Sequence, residues 1–280
     1  MAIRWPFAGR ADETARVNSW LASGVGALVL GEPGVGKSAL VRQVADSVGR
    51  TAPVARIVGH AVSNGAPFEA FAAVLTTADA SLLSPVEVAG RVAGTWASSA
   101  GTRALIVVDD AQLLDNRSAQ VLLQLASDGL VTVLATAPDL HLPDGVQRLW
   151  RDGWCERMDL AGLSEVEVEE LIEAALGAPV EPAAVRAFVD RSQGNPLALR
   201  ELVAAARASS TLVFRDSAWT LVGRPPISSG IRDLVRSRLA ALPGPHRSAL
   251  ETVAAGEPLA MSIAGELIDE SVLDRLDAVG

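Results

Sequence analysis

The chain has 280 residues, of which 49% are hydrophobic, and it carries a formal net charge of −9. This length allows one large domain or two to three smaller ones with separate cores. No apolar run reaches the roughly 18 residues that a membrane span needs. The N-terminus lacks an apolar signal core, and the single Cys155 excludes an internal disulfide. We therefore expect a cytoplasmic protein with no membrane partner, and the acidic charge argues against nucleic-acid binding by this chain.

The first 160 residues alternate between helical segments and short apolar strands. In chain order, the pattern predicts a helix at Asp12–Leu21, a strand at Val25–Leu30, a helix at Ala39–Val48, a strand at Val54–Val58, helical spacing at Phe68–Leu75 and Val86–Trp96, a strand at Ala104–Val108, a helix at Ser118–Ala126, and strands at Val131–Ala135 and Glu156–Leu160. Several of these strands are continuously apolar, as in a parallel sheet that is covered by helices on both faces. We expect an α/β core over residues 1–160.

From Ser164 onward the pattern is nearly all helical. Ser164 and Glu167 have the spacing of a capping box, which marks the start of a helix. Three helices are predicted at Glu165–Leu176, Pro182–Ser192 and Leu197–Ala208, followed by a small hairpin at 212–222. We expect residues 161–222 to form a separate helical domain, and residues 223–280 to form a further, mainly helical one.

The segment Gly31–Ser38 is a complete GxxxxGKS sequence between a predicted strand and a predicted helix. Lys37 is the only lysine in the chain, and such a loop needs a slim ammonium that reaches between the β- and γ-phosphates. The helix N-terminus favours the anion, and Ser38 offers a hydroxyl to Mg²⁺. The segment therefore predicts binding of ATP or ADP with Mg²⁺. The predicted nucleotide-binding residues here are Glu32, Pro33, Gly34, Val35, Gly36, Lys37, Ser38 and Ala39.

A second part of the site is predicted where the strand Ala104–Val108 ends. Asp109 stands where a P-loop protein needs an acidic partner for the Mg²⁺ shell, and Asp110 is a candidate general base. Alone, a strand that ends in two aspartates is more often a turn. Thr136 follows the next core strand, where it either senses the γ-phosphate or caps the strand end. We expect Lys37, Asp110 and Thr136 to be catalytic, and Ser38 and Asp109 to hold the metal.

Four segments together resemble the N-terminal ATPase module of large ATP-binding LuxR-type transcriptional regulators, in the STAND branch of the AAA+ ATPases. The segments are Pro6–Arg10, the P-loop, Leu105–Asp110 and Ser192–Leu199. The resemblance implies a P-loop core, a helical lid and a partial winged-helix-like domain at 223–280 that continues beyond Gly280. It also implies that Gly9 and Arg10 lie near the nucleotide and that Pro196 contacts the adenine from the lid.

The same resemblance has consequences for partners. It implies self-association or effector binding in the full-length protein. The family's DNA-binding helix-turn-helix has no counterpart in these 280 residues, so we expect no DNA binding by this fragment. Thr136 stands where the family often has an arginine.

Three functions fit these residues. The first is a nucleotide-dependent switch in a transcriptional regulator, with slow Mg²⁺-dependent hydrolysis. The second is a turnover enzyme, either a P-loop ATPase or a kinase. The third is a scaffold that nucleotide only stabilises, which the intact pair Asp109 and Asp110 disfavours.

Overall fold

The computed structural model describes residues 5–59, 67–72, 75, 83–96 and 103–223 without further gaps. In the C-terminal part it describes residues 230, 232, 235, 236, 239, 242, 244–255, 268, 269 and 272. The expected winged-helix-like region at 223–280 therefore lies largely outside the described residues. One complete helix there, Gly244–Ala255, agrees with the helical pattern.

A five-stranded parallel sheet forms the centre of the N-terminal part. Its strands are β1 Gly26–Leu30, β2 Val54–Val58, β3 Ala104–Asp109, β4 Val131–Ala137 and β5 Cys155–Asp159. They lie in the order β2-β3-β4-β1-β5, so β1 pairs in parallel with both β4 and β5. The carboxyl ends of all five strands therefore meet at one edge of the sheet, and the P-loop follows β1 at this edge.

Helices cover both faces of the sheet, as the apolar strands predict. They are α1 Ala11–Ala22, α2 Lys37–Val48, α3 Pro85–Trp96, α4 Asn116–Ser127 and α5 Asp144–Arg151. Neighbouring residues of one strand belong to different hydrophobic clusters: Ile106 packs with α3, α4 and α5, whereas Val107 packs with α2. This alternation places apolar side chains on both faces of β3.

The second hydrophobic unit contains α6 Glu165–Leu176, α7 Pro182–Ser192, α8 Pro196–Ala208 and the antiparallel hairpin β6 Leu212–Arg215 with β7 Ala218–Leu221. Its core is a separate cluster around Phe188, Ile172 and Leu199, all fully buried. The capping box of Ser164 and Glu167 is present at the start of α6. We refer to α6, α7, α8 and the hairpin as the helical lid.

Two expected elements differ from the structure. Strand β4 runs to Ala137, so Thr136 is inside it and pairs in register with Val29 of β1. Within the described part of Phe68–Leu75, the helical spacing yields only a three-residue 3₁₀ turn at Glu69–Phe71. Among the described residues, no helix combines the length and apolar character needed to cross a membrane.

Candidate functional site

The P-loop forms a tight turn between β1 and α2. Gly34 and Gly36 have positive φ angles of 83° and 104°, which a residue with a side chain rarely adopts. Gly36 immediately precedes α2, so the N-terminus of this helix points to the space above the loop. Lys37 Nζ donates to the carbonyl oxygens of Gly31 at 2.7 Å and Glu32 at 3.0 Å. The lysine thus folds over its own loop.

The charge of Lys37 is poorly solvated at this position. Burial lowers the pKa of its ammonium below the usual value, although the carboxylates of Asp110, Asp109 and Glu32 act in the opposite direction. Two carbonyl contacts stabilise the ammonium only partly. A phosphate group would give this ammonium a charged hydrogen-bond acceptor at contact distance.

Asp109 is held at the end of β3 by two hydroxyl groups. Ser38 Oγ donates to Asp109 Oδ1 at 2.9 Å, and Thr136 Oγ1 donates to the same oxygen at 2.5 Å. Thr136 is fully buried, and its hydroxyl also accepts from the backbone N–H of Asp110 at 3.2 Å. The residues predicted as metal ligands therefore lie side by side. A serine hydroxyl beside a carboxylate is a hard oxygen donor set that suits Mg²⁺.

Asp110 has an unusual backbone conformation. Its φ of 54° and ψ of 51° lie in the left-handed region, which is unfavourable for a residue with a Cβ atom. Gly59, after β2, packs so closely against this turn that a Cβ there would overlap the Asp110 carbonyl oxygen. The carboxylate itself is exposed at the sheet edge, where it is available to a ligand.

Arg10 lies at a junction of several elements and is only 5% exposed. Its guanidinium donates to Val35 O of the P-loop at 3.2 Å and to Ala161 O, in the segment that leads to the lid, at 2.5 Å. Its backbone N–H donates to Glu167 Oε1 at 3.0 Å. Arg10 thus binds the backbone of the predicted nucleotide loop and links this loop to the lid.

Lid residues also contact the P-loop directly. Asn195 Nδ2 donates to Pro33 O at 3.0 Å, and the N–H of Leu197 donates to Gly34 O at 3.3 Å. A Cβ added to Gly34 would lie 2.8 Å from Leu197 Cβ and 2.9 Å from Asn195 Oδ1. Only glycine therefore allows the start of α8 to approach the loop this closely.

A cavity of about 400 Å³ opens between α2, the N-terminal segment and the lid. Phe7 and Pro196 are among its lining residues, and Ala39 places the cavity next to the P-loop. Its complete lining consists of Trp5, Pro6, Phe7, Ala39, Arg42, Gln43, Asp46, Leu171, Pro196, Leu197 and Arg200. A cleft beside a phosphate loop whose walls combine apolar side chains with a few polar ones has the chemistry for a nucleoside base. Arg10 does not line this cavity.

The parallel sheet and the GxxxxGKS loop define a P-loop fold that is similar to the fold of AAA+ proteins. Residues 6–95 match the family model of the AAA ATPase domain. No curated protein matches the chain in sequence.

Several solved structures share the fold. The chain is similar to Orc1 of Aeropyrum pernix in complex with DNA, with a TM-score of 0.58 and 17% identity over 90% of this chain and 73% of that one. Drosophila ORC bound to DNA gives a TM-score of 0.54 at 16% identity, covering 91% and 69% of the two chains. A point mutant of Thermotoga maritima RuvB gives 0.52 at 16% identity, covering 94% and 85%. At these identities, the likeness concerns the fold.

The structure also shows contacts that the sequence motifs did not predict. Asn195 and Glu167 connect the lid with the P-loop and with Arg10, respectively. Gln112 donates from Nε2 to Asp110 Oδ1 at 3.1 Å. An asparagine before a proline does indicate a helix N-cap, which Asn195 is, but that local signal does not predict its contact with Pro33.

Proposed function

We propose that this AAA+ module binds ATP and ADP with Mg²⁺ and acts as a nucleotide-dependent switch in a transcriptional regulator. The observation that carries the proposal is the direct hydrogen bonding of α8 to the P-loop, through Asn195 and Leu197 to Pro33 and Gly34. A nucleotide that changes the loop must also affect these lid contacts.

In this proposal the residues have separate roles. Lys37 and the amides around Gly34–Ala39 bind the phosphates, and Phe7 and Pro196 hold the adenine in the adjoining cavity. Ser38 and Asp109 hold Mg²⁺, which neutralises phosphate charge when bound. Thr136 keeps Asp109 in place through its hydroxyl, a role that replaces direct sensing of the γ-phosphate.

The assignment to a regulator is supported by sequence resemblance. Pro6–Arg10 and Ser192–Leu199 resemble LuxR-type regulators, and both segments border the cavity or the loop. We propose a cytoplasmic location and self-association or effector binding in the full-length protein. Two of the similar structures contain DNA, but the net charge of −9 argues against DNA binding by this chain.

Turnover hydrolysis is the second candidate function, favoured by the exposed Asp110 carboxylate beside Asp109. In that case ATP hydrolysis itself, and not the position of the lid, would be the output. The two functions differ in whether the lid moves between nucleotide states.

Nucleotide binding is tested by titration calorimetry of the parent chain and Lys37→Ala with Mg-ATP and Mg-ADP. We expect at least about a tenfold loss of affinity, because a charge-assisted contact contributes about 1.5–3 kcal/mol. An affinity within about threefold of the parent would contradict the phosphate contact.

Lid movement is tested with spin labels on cysteines at Gln120 of α4 and Glu170 of α6, which are both exposed. The distance distribution should differ between the ADP and ATP states. A control pair of labels at Gln120 and Arg50, both on the surface of the N-terminal sheet part, should keep the same distance distribution in the two states. Tight binding of both nucleotides with an unchanged lid distance would exclude the switch and favour simple turnover.

A further inference from the structure

Gln112 is a half-buried residue in the 3₁₀ turn Ala111–Leu113, directly after Asp110. Its Nε2 donates to Asp110 Oδ1 at 3.1 Å. Its Oε1 is shielded from solvent and, in the part of the chain that the structure describes, has no hydrogen-bond partner. A shielded amide oxygen without a donor is unfavourable, so the stability of the turn does not explain a glutamine at this position.

Asp110 depends on neighbouring groups for its orientation. Its backbone is in the left-handed region, fixed by the N–H contact to Thr136 and by the close packing of Gly59. The side chain is exposed, and Gln112 provides its one hydrogen bond within the described residues. An exposed aspartate without this contact would populate several rotamers. Gln112 therefore limits where the carboxylate points.

We propose that Gln112 is a positioning residue that orients Asp110 for proton abstraction from the water that attacks the γ-phosphate. The inference rests on the nucleotide binding of the proposed function and on the hydrolysis candidate, with Asp110 as the candidate general base. The water oxygen forms a bond to the γ-phosphorus, and the bond from that phosphorus to the bridging oxygen breaks. The electron pair leaves with ADP, and the water proton passes to Asp110.

The test compares Gln112→Met with the parent chain. Methionine has a similar length and no amide, so it removes both the contact to Asp110 and the unpartnered oxygen. We expect kcat for ATP to fall at least about tenfold, because general-base catalysis contributes roughly 10²–10⁴-fold. The Kd for Mg-ATP should stay within about threefold of the parent, because binding energy and transition-state stabilisation are separable. The melting temperature should be unchanged or higher.

Gln147→Met is the matched control. Gln147 is also half-buried, but its Nε2 donates to Leu142 O at 2.8 Å and to neither aspartate. This variant should lose stability and keep the kcat of the parent.

Each result supports or overturns the inference. A kcat of Gln112→Met within about threefold of the parent overturns it. A joint fall of kcat, affinity and melting temperature in Gln112→Met also overturns it, because that pattern belongs to a structural role. A parent chain that binds Mg-ATP without hydrolysing it overturns this inference alone, whereas a parent that does not bind nucleotide overturns the proposed function.

Discussion

The buried guanidinium of Arg10 offers a sharp test of how the lid and the P-loop are held together. Arg10→Ala removes the hydrogen bonds to Val35 O and Ala161 O, and neither carbonyl gains another donor from the variant. A hydrogen bond to a charged group contributes about 1.5–3 kcal/mol. Glu13 also loses its ion pair with Arg10, but it is 23% exposed, so water replaces that contact. Loss of the two carbonyl contacts should therefore lower the free energy of unfolding by at least about 3 kcal/mol.

The assay is thermal and denaturant unfolding of the parent, Arg10→Ala and Arg10→Gly. A loss of about 3 kcal/mol corresponds to a melting temperature lower by about 6–12 °C for a chain of this size. Because Arg10 has a φ of 63°, glycine should be more stable than alanine by about 1 kcal/mol. Arg151→Ala, at an exposed arginine at the end of α5, should change stability by less than about 0.5 kcal/mol.

Two results would refute the reasoning. The first is a melting temperature of Arg10→Ala within about 2 °C of the parent, which would correspond to less than about 1 kcal/mol. The second is a glycine variant less stable than the alanine variant. The first would mean that the buried guanidinium does not hold the junction, and the second that the left-handed backbone at position 10 is not strained.

Further predictions concern the carboxylates and their partners. Thr136→Val keeps the side-chain shape but removes the hydroxyl bound to Asp109, so Mg²⁺-dependent ATP affinity in calorimetry should fall about tenfold. Thr136→Ser should restore it, and an unchanged affinity in the valine variant would argue against this role. Asp109→Asn should weaken Mg²⁺-dependent ATP affinity, whereas Asp110→Asn should spare binding and slow hydrolysis, and equal losses of binding would remove this distinction. Burial alone would raise the pKa of Glu167, but hydrogen bonds from the backbone N–H groups of Arg10 and Ser164 and from the Ser164 hydroxyl outweigh it and lower the pKa below 4.5. The ionised group therefore stabilises the chain above pH 4.5, and this stability is lost as the pH falls through the lowered pKa. Glu167→Gln should lose less stability than the parent between pH 7 and about pH 3 in denaturant unfolding, and a parallel loss would contradict the contact.

The strands of the parallel sheet were predictable because each has a local apolar pattern. Continuous apolar runs such as Ala104–Val108 fit only strands with both faces covered, and the structure confirms this strand with one more residue, Asp109. The end of β4 was not predictable from hydrophobicity. Thr136 is polar, yet it is fully buried because its hydroxyl bonds Asp109, a residue 27 positions away.

Near Phe68, the sequence pattern predicted more regular structure than the described residues have. Its apolar spacing predicts a helix, but Phe68 has a φ of 60°, and its N–H donates to Asp115 Oδ1 at 3.3 Å. Asp115 also caps α4, so a helix in another part of the chain fixes the local backbone. Helical spacing contains no information about such a distant acceptor.

Some residues of the candidate site were likewise predictable from the sequence, and some contacts were not. Lys37, Ser38 and Asp109 were predictable because a loop between a strand and a helix and a carboxylate at a strand end have local signatures. The contact of Asn195 with Pro33 joins residues 162 positions apart, and it depends on how the start of α8 packs against the P-loop. The predicted domain boundaries at 160 and 222 and the nucleotide roles of the individual residues stay predictions.

The lack of a side chain at Gly34 has a thermodynamic consequence. Leu197 and Asn195 fill the space that a Cβ would occupy, so the loop conformation and the docking of α8 form one packed arrangement. Any partner that binds only the undocked lid must therefore lower or raise nucleotide affinity, and nucleotide must change the affinity for that partner by the same factor. Measuring nucleotide affinity with and without a candidate partner would therefore give the coupling free energy between the two ligands, which is the same in both directions. A larger residue at position 34 should weaken this reciprocal coupling even where both ligands still bind.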